Sequence, residues 1–315
     1  MNPASSRHLR ANALLLLASA IWGFAFVAQR VGAESIGPFT FNAVRFAMGA
    51  AVLVPVVWFL DTRRRVPRPI RALATRQVVL PGLLTGALLA AAVGMQQVAM
   101  SHTTAGNAAF ITGLYMVFVP LVVAFRGHRS TWTTLAGIAL ALVGLYFLAV
   151  GEGFSIGFGD AIVLASTLVW TAQILVIEHY SRRLGALRFA ISQFAWCAVL
   201  SVPAALLLDA APFTGLAAGL VPLLYGGLIS VGIAYTLQVI AQRDALASHA
   251  ALIMSAEALF GALGGALLLG ENMGPRGYFG AALMAGGIAL AQWRTAPAAP
   301  APVAASRSGS ASTLT

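Results

Sequence analysis

ANALLLLASAIWGFAFVAQRV, residues 11–31, is an apolar stretch with one charged side chain, Arg30, next to its end. About 20 apolar residues at 1.5 Å each carry a helix across the ~30 Å hydrocarbon core of a bilayer, so this stretch is long enough to span one. Nine further runs of comparable character follow it: 38–60, 78–100, 106–125, 132–150, 158–180, 187–208, 218–241, 248–269 and 277–293. The sequence therefore predicts an all-α polytopic membrane protein of ten transmembrane helices.

The composition of the 315-residue chain supports the membrane class. Hydrophobic residues make up 59% of the chain and charged residues 9%, whereas a soluble domain carries about 25% charged residues. So few charges argue against a soluble enzyme, a disordered protein and a nucleic-acid-binding domain, although the net charge is +10. Cys197 is the one cysteine and lies within an apolar run, so an intrachain disulfide is excluded.

The arginines between the runs indicate the orientation, since cytoplasmic connections of membrane proteins are enriched in positive charge. With a cytoplasmic N-terminus the outer connections hold only Arg30 and Arg276. The inner side holds Arg7, Arg10, the arginines of the 61–77 loop, Arg126, Arg129, Arg182, Arg183, Arg188, Arg243, Arg294 and Arg307. We therefore expect a multi-pass protein of the cell (plasma or inner) membrane with a cytoplasmic tail at 1–10 and a disordered cytoplasmic tail at 294–315. The first run is too long and bulky for a cleaved signal peptide.

The two halves of the chain resemble each other. Identical residues recur in the same order, and the separation in sequence between the two members of a pair changes little along the chain. The pairs are Trp22/Trp170, Phe46/Phe194 and Pro55/Pro203 at an offset of 148 residues, Pro81/Pro222 and Gln97/Gln238 at 141, and Gly137/Gly280 and Gly144/Gly287 at 143. We predict a duplication with repeats at 11–150 and 158–293. Because five is an odd number of helices, the second repeat enters the membrane from the opposite side. Such inverted repeats are typical of secondary transporters; a non-transporting scaffold is the alternative.

Local motifs resemble the drug/metabolite transporter superfamily with two EamA-type repeats. The motifs are IWGFAFV at 21–27, Arg45-Phe46, Gly159-Asp160 followed by Trp170, Ser255-Ala256-Glu257 and Leu269-Gly270-Glu271. Two departures stand out: Ala258 occupies a position that is usually proline, and 126–129 (RGHR) replaces a Gly-Glu of the first repeat. The resemblance implies movement of small organic solutes, commonly export of amino acids, metabolites or drugs.

Two charged side chains, Arg45 and Glu257, fall deep inside predicted spans, far from their ends, where a charge is costly and needs an explanation. Glu257 is a candidate for proton coupling or for binding a substrate ammonium group, and its alternative is a static ion pair or hydrogen bond between helices. Arg45 can pair with Glu257, bind a substrate carboxylate through two hydrogen bonds, or extend towards the outer interface.

Uncharged polar and aromatic side chains within the runs are candidates for a solute pathway. They are Trp22, Gln97, Asn107, Tyr115, Trp170, Gln173 and Gln238. Aromatic faces with a few amides suit an amphipathic small molecule, and the alternative is hydrogen bonding and packing between helices. The GxxxG spacings 82–86 and 261–265 predict close helix packing.

Enzyme chemistry has little support in the sequence. Asp160 lies in a GxGD match to intramembrane aspartyl proteases, but no second aspartate is predicted at membrane depth, so we interpret Asp160 as a helix N-cap. We interpret Glu178 as an ion-pair partner of Arg182 and Glu271 as a loop cap. Because no metal-ligand spacing or nucleophile motif occurs, we expect no enzyme, no catalytic residues, no metal and no cofactor; an intramembrane enzyme is the less favoured alternative. The expected partners are a small-molecule substrate and the lipid bilayer, not nucleic acid, and a monomer is plausible with the oligomeric state left open.

Overall fold

The computed structural model describes residues 3–63, 75–127, 130–149, 157–268, 270 and 274–292, and within these ranges every regular element is a helix. Eight segments of the described chain are helical, long and apolar enough to cross a membrane: Ser6–Gly32, Pro38–Arg63, Arg76–Ala99, Ala105–Phe125, Phe158–Ser181, Ala186–Leu208, Leu220–Ala241 and Ala247–Leu268. The prediction of an all-helical polytopic membrane protein is confirmed.

The helices are numbered in chain order. They are α1 (Pro3–Gly32), α2 (Pro38–Arg63), α3 (Arg76–Ala99), α4 (Ala105–Gly113), α5 (Tyr115–Phe125), α6 (Trp132–Ala149), α7 (Phe158–Ser181), α8 (Ala186–Leu208), α9 (Leu220–Leu224), a π-helix (Tyr225–Tyr235), α10 (Thr236–Ala241), α11 (Ala247–Met254), α12 (Glu257–Leu268) and α13 (Gly274–Gln292).

The two other predicted spans, 132–150 and 277–293, correspond to α6 and α13. These are helices of 18 and 19 residues, and α6 counts as a shorter apolar helix over Trp132–Leu148 rather than as one of the eight long ones. Four predicted features fall outside the described residues: most of the arginine-rich loop (64–74), the 151–156 connection, the Glu271 cap and the tail from 294.

Two of the long segments are interrupted near their middles. The α4–α5 segment breaks at Leu114, where the backbone N–H groups of Leu114 and Val117 donate three residues back at 3.2 and 2.9 Å. The α11–α12 segment breaks at Ser255–Ala256, where Ala256 and Ala258 donate three residues back, each at 3.1 Å. These tightened turns replace the usual bonds to the fourth preceding residue. The second break forms although Ala258 stands where proline was expected.

A third irregularity lies in the Leu220–Ala241 segment. Eleven residues, Tyr225–Tyr235, form a π-helix between two short α-helices. π-Helical turns widen the helix and occur often at functional sites. The widened stretch ends at Tyr235, which lies at the candidate site described below.

Close approaches of glycines fix two helix pairs. A Cβ added at Gly137 would lie 2.5 Å from the Gly287 carbonyl oxygen, and one added at Gly144 would lie 2.6 Å from that of Gly280. We call these four residues the glycine seam between α6 and α13. Gly86 on α3 likewise faces the backbone of α8: a Cβ added at Gly86 would lie 2.7 Å from the Gln193 backbone oxygen. Backbone contact of this kind requires glycine, as the GxxxG spacing 82–86 predicted.

Polar side chains at the helix ends follow the sequence predictions with one correction. Glu178 and Arg182 form the predicted ion pair, at 3.2 Å. Asp160 is not the N-cap itself: Gly157 is, and the Asp160 carboxylate lies one turn inside α7 and accepts the Gly157 N–H at 3.0 Å. Gly157 is the cap because its backbone is extended there. Since it has no side chain to accept a hydrogen bond, the Asp160 carboxylate makes the side-chain contact of this cap, with the Gly157 N–H.

Candidate functional site

A small cavity of about 40 Å³ lies in the interior, where both interrupted segments meet α1, α2, α3, α7 and the π-helical segment. Its lining is aromatic and polar, with one arginine and one glutamate. The lining residues are Trp22, Phe26, Gln29, Arg45, Gln96, Thr112, Tyr115, Trp170, Ile174, Ser230, Tyr235, Gln238, Met254 and Glu257. Six predicted pathway residues are therefore brought together: Trp22, Arg45, Tyr115, Trp170, Gln238 and Glu257.

The breaks in the two segments place Glu257 and Tyr115 opposite each other. Glu257 is the first residue of α12 and Tyr115 the first residue of α5. The Tyr115 hydroxyl donates to Glu257 Oε1 at 3.0 Å, and both side chains are buried. A carboxylate at the start of a helix is also favoured by the helix dipole. The Ser19 hydroxyl of α1 lies 2.7 Å from the Leu15 carbonyl oxygen and 3.0 Å from the Ile253 carbonyl oxygen at the second break, so its one hydrogen is shared between these two acceptors.

Arg45 is buried, with 2% of its surface exposed, so it does not extend towards an interface. Its Nε donates to Asn42 Oδ1 at 2.9 Å, and its guanidinium carbon lies 5.1 Å from the ring centres of both Phe41 and Phe46. No ion pair within 4.0 Å joins it to Glu257; the described ion pairs are Arg182–Glu178 and Arg188–Asp61. The cavity thus holds a cation and a carboxyl group that are not directly bonded to each other.

Three aromatic rings form one wall of the cavity. Tyr235 lies between Trp22 and Trp170, with ring centres 4.7 and 6.0 Å away, and its ring is nearly parallel to that of Trp170, at 18°. Flat apolar faces of this kind accept the hydrocarbon or ring part of an organic solute.

A series of hydrogen-bonded side chains, two of which were not predicted from the sequence, forms a second wall of the cavity. Trp170 Nε1 donates to Gln96 Oε1 at 3.1 Å, and Gln96 Nε2 donates to Gln29 Oε1 at 3.2 Å. Gln29 was detectable, because Trp22, Phe26 and Gln29 follow the i, i+4, i+7 spacing of one helix face. Gln96 was not distinguishable from its neighbour Gln97 without knowing how α3 is rotated.

Three predicted pathway residues lie outside the lining. Gln97 is buried and donates to the Gln29 carbonyl at 3.1 Å, so it packs α3 against α1. Asn107 is half-buried in the first turn of α4, where its backbone N–H is accepted by the Thr104 cap. Gln173 is fully buried on α7.

Three lining side chains carry buried polar atoms that have no hydrogen-bond partner in the described part of the chain. They are Trp22 Nε1, Thr112 Oγ1 and Gln238 Oε1. A buried polar group without a partner costs about 1–3 kcal/mol. Counting the hydroxyl as both, two acceptors and two donors on residues that line this cavity therefore have no partner among the described residues.

Comparison with known proteins gives concordant results. The model of the EamA-like transporter family matches the chain twice, over residues 9–150 and 157–293. An uncharacterized transporter of Archaeoglobus fulgidus is 30% identical over 280 residues, covering 88% of this chain and 84% of that protein. A probable terminal-alkyne amino-acid exporter of Streptantibioticus cattleyicolor is 30% identical over 163 residues, about half of each chain. A crystal structure at 19% identity shares the fold, with a TM-score of 0.74 over 90% of this chain and 97% of that one.

Proposed function

Since this chain belongs to the EamA-like transporter family, we propose that it is a secondary transporter that exports small organic solutes across the cytoplasmic membrane by alternating access. Its general role as a transporter in a membrane follows from the family. The solute class, the direction and the mechanism are the proposal, and the cavity with its unpaired polar atoms carries it. The test is solute flux in liposomes with and without the protein, which also distinguishes a transporter from a scaffold or an intramembrane enzyme.

We propose that ten spans form two inverted repeats, at 11–150 and 158–293, related by a pseudo-twofold axis. We call the residue at the corresponding position of the other repeat the mate of a residue. Such an axis makes contacts reciprocal: if residue i touches the mate of residue j, then residue j touches the mate of residue i. Gly137 faces Gly287 and Gly144 faces Gly280, which is reciprocal at the offset of 143. Phe46 contacts its own mate, Phe194, with ring centres 6.1 Å apart.

A polar contact at each end of α2 and α8 supports the same relationship. Asp61 accepts from Arg188 at 2.7 Å, and Asp209 accepts from the Thr40 backbone N–H at 2.7 Å. Asp209 is 148 residues after Asp61, and Arg188 is 148 residues after Thr40. Both contacts join the first half of the chain to the second half, and they lie at opposite ends of the α2–α8 pair. We propose that the two contacts open alternately when the halves rock about the cavity.

The two helix breaks support the placement of the solute site. In secondary transporters with inverted repeats, interrupted helices in corresponding positions expose backbone groups to the solute near the membrane midplane. Here the breaks at Leu114 and Ser255–Ala256 are 141 residues apart, an offset also found among the repeat matches. We propose that a solute carboxylate binds Arg45, that its apolar part stacks on the Tyr235 wall, and that Gln97, Asn107 and Gln173 act indirectly by positioning helices.

We predict that Arg45→Gln weakens binding of carboxylate-bearing solutes by about 10- to 100-fold, because the donor to the carboxylate changes from a charged guanidinium to a neutral amide. Isothermal titration with a panel of amino acids and their amides measures this. The amides should lose little affinity in the variant. Arg276→Gln is a matched control, because Arg276 also lies over two rings, those of Tyr146 and Phe147, and is exposed. Equal losses for acids and amides would contradict a carboxylate-binding role.

The orientation gives a separate prediction. Reporter fusions within 61–77 and after 293 should both report cytoplasm, whereas fusions near Gly153 and just after Asp209 should report the outside. The reason is the arginine distribution along the chain. A C-terminal reporter on the outside would require an odd number of spans and would remove both the ten-helix count and the inverted repeat.

A further inference from the structure

An apolar groove of about 690 Å³ runs along the outer surface of the helix bundle, away from the central cavity. Helix α7 packs against both α3 and α5, whereas α3 and α5 make little contact with each other. The groove lies in the gap, with α7 as its floor and Leu84 and Leu121 on its sides. Both leucines are about half exposed, at 46% and 50%.

The groove has the length of one bilayer leaflet. Its floor extends along α7 from Leu168 to His179, a rise of eleven residue steps or roughly 17 Å. Half of a ~30 Å hydrocarbon core is about 15 Å. The apolar part of the groove therefore matches the depth to which a phospholipid acyl chain reaches from the interface.

The polar end of the groove carries positive charge. Arg126 follows the last residue of α5 and is exposed, and His179 and Tyr180, at the end of α7, line the same groove. The nearby carboxylate of Glu178 is paired with Arg182, and Arg126 forms no ion pair with a described residue. Arg126 also opens the RGHR motif, the departure from the family pattern that the central cavity does not explain.

We propose that this groove binds one anionic phospholipid, with an acyl chain along α7 and its phosphate at Arg126 and His179. A basic pocket between helices, at the end where a leaflet meets water, attracts an anionic headgroup. The arginine-rich side of the membrane places this end at the cytoplasmic leaflet. The lipid would bridge the ends of α5 and α7, and α5 begins at Tyr115 in the central cavity.

The test measures lipid binding on the purified full-length protein in neutral detergent, so it does not depend on any transport activity. Thermal unfolding is followed while phosphatidylglycerol or phosphatidylcholine with identical acyl chains is added, because a ligand of the folded state raises the unfolding temperature. We expect phosphatidylglycerol to stabilise at lower concentration. Arg126→Gln should weaken its apparent affinity about fivefold, and Ala172→Phe, which fills the groove floor, should weaken both lipids.

Arg63→Gln is the matched control, since it removes an exposed arginine at the end of α2, outside the groove. It should retain the wild-type preference for phosphatidylglycerol. The same weakening in Arg63→Gln and Arg126→Gln would overturn the proposal in favour of general surface charge. Equal stabilisation by both lipids would overturn it in favour of acyl-chain contact without recognition of the headgroup. Stabilisation by glycerol 1-phosphate alone would assign the site to a soluble phosphate instead. If Ala172→Phe does not fold, Arg126→Gln with its control still decides the outcome.

Discussion

Glu257→Gln is expected to abolish solute movement driven by a pH gradient while sparing exchange of solute for solute. Glu257 is the one carboxyl group in the described lining of the cavity. Glutamine keeps its shape and can still accept the Tyr115 hydroxyl, but it cannot take up or release a proton. Exchange needs no net proton movement, so it should persist. Liposomes containing the protein, with an imposed pH gradient or with solute on both sides, measure the two modes separately.

Two further variants separate proton coupling from a static contact. Tyr115→Phe removes the donor to Glu257 Oε1, bonded at 3.0 Å, and should shift the pH dependence of transport without abolishing it. Glu178→Gln removes a carboxylate of the Arg182 ion pair and should leave both transport modes unchanged. If folded Glu257→Gln protein transports with the wild-type pH profile, Glu257 only holds α12 against α5. Alternating access by uniport or exchange would remain tenable.

Much of the fold could be predicted because membrane spans depend on length and apolar character, which are local properties of the sequence. The run 78–100, for example, is the helix Arg76–Ala99. The breaks could not be predicted in this way. Neither Leu114 nor Ser255 is followed within two residues by proline. At the second break the Ile253 carbonyl oxygen lies 3.0 Å from the hydroxyl of Ser19, which is 234 residues away in sequence, so this contact depends on tertiary packing.

The candidate site illustrates the same division between local and tertiary information. Glu257 and Arg45 could be selected because a charge inside a span is costly and conspicuous. The choice between Gln96 and Gln97 depends instead on the rotation of α3 by about 100° per residue. Tyr235 was missed for a related reason: it is the last residue of the π-helix, whose turns change the phase of its helix face. The absence of an Arg45–Glu257 ion pair also depends on packing, since Asn42 and two phenylalanine rings hold Arg45 in place.

Gly287→Ala is expected to destabilise the protein strongly, whereas the same change at the adjacent residue, Gly286→Ala, is not. A Cβ at Gly287 would lie 2.5 Å from the Ala141 backbone nitrogen and 2.6 Å from the Gly137 oxygen. Backbone atoms cannot rotate away, so α6 and α13 must separate along the glycine seam. Overpacking of this kind costs about 1–3 kcal/mol. A Cβ at Gly286 meets only Leu140 Cδ2, at 3.8 Å.

The pair of variants isolates the seam, because both positions lie in α13 and gain the same helix propensity from alanine, about 0.5–1 kcal/mol. Gly286→Ala should therefore match or slightly exceed the wild-type unfolding temperature, and Gly287→Ala should unfold several degrees lower at the same scan rate. The seam lies outside the cavity lining, so the protein that remains folded should bind solute with unchanged affinity. Equal unfolding temperatures for the two variants would mean that α6 and α13 do not make backbone contact, and would remove the glycine pairs as support for the inverted repeat.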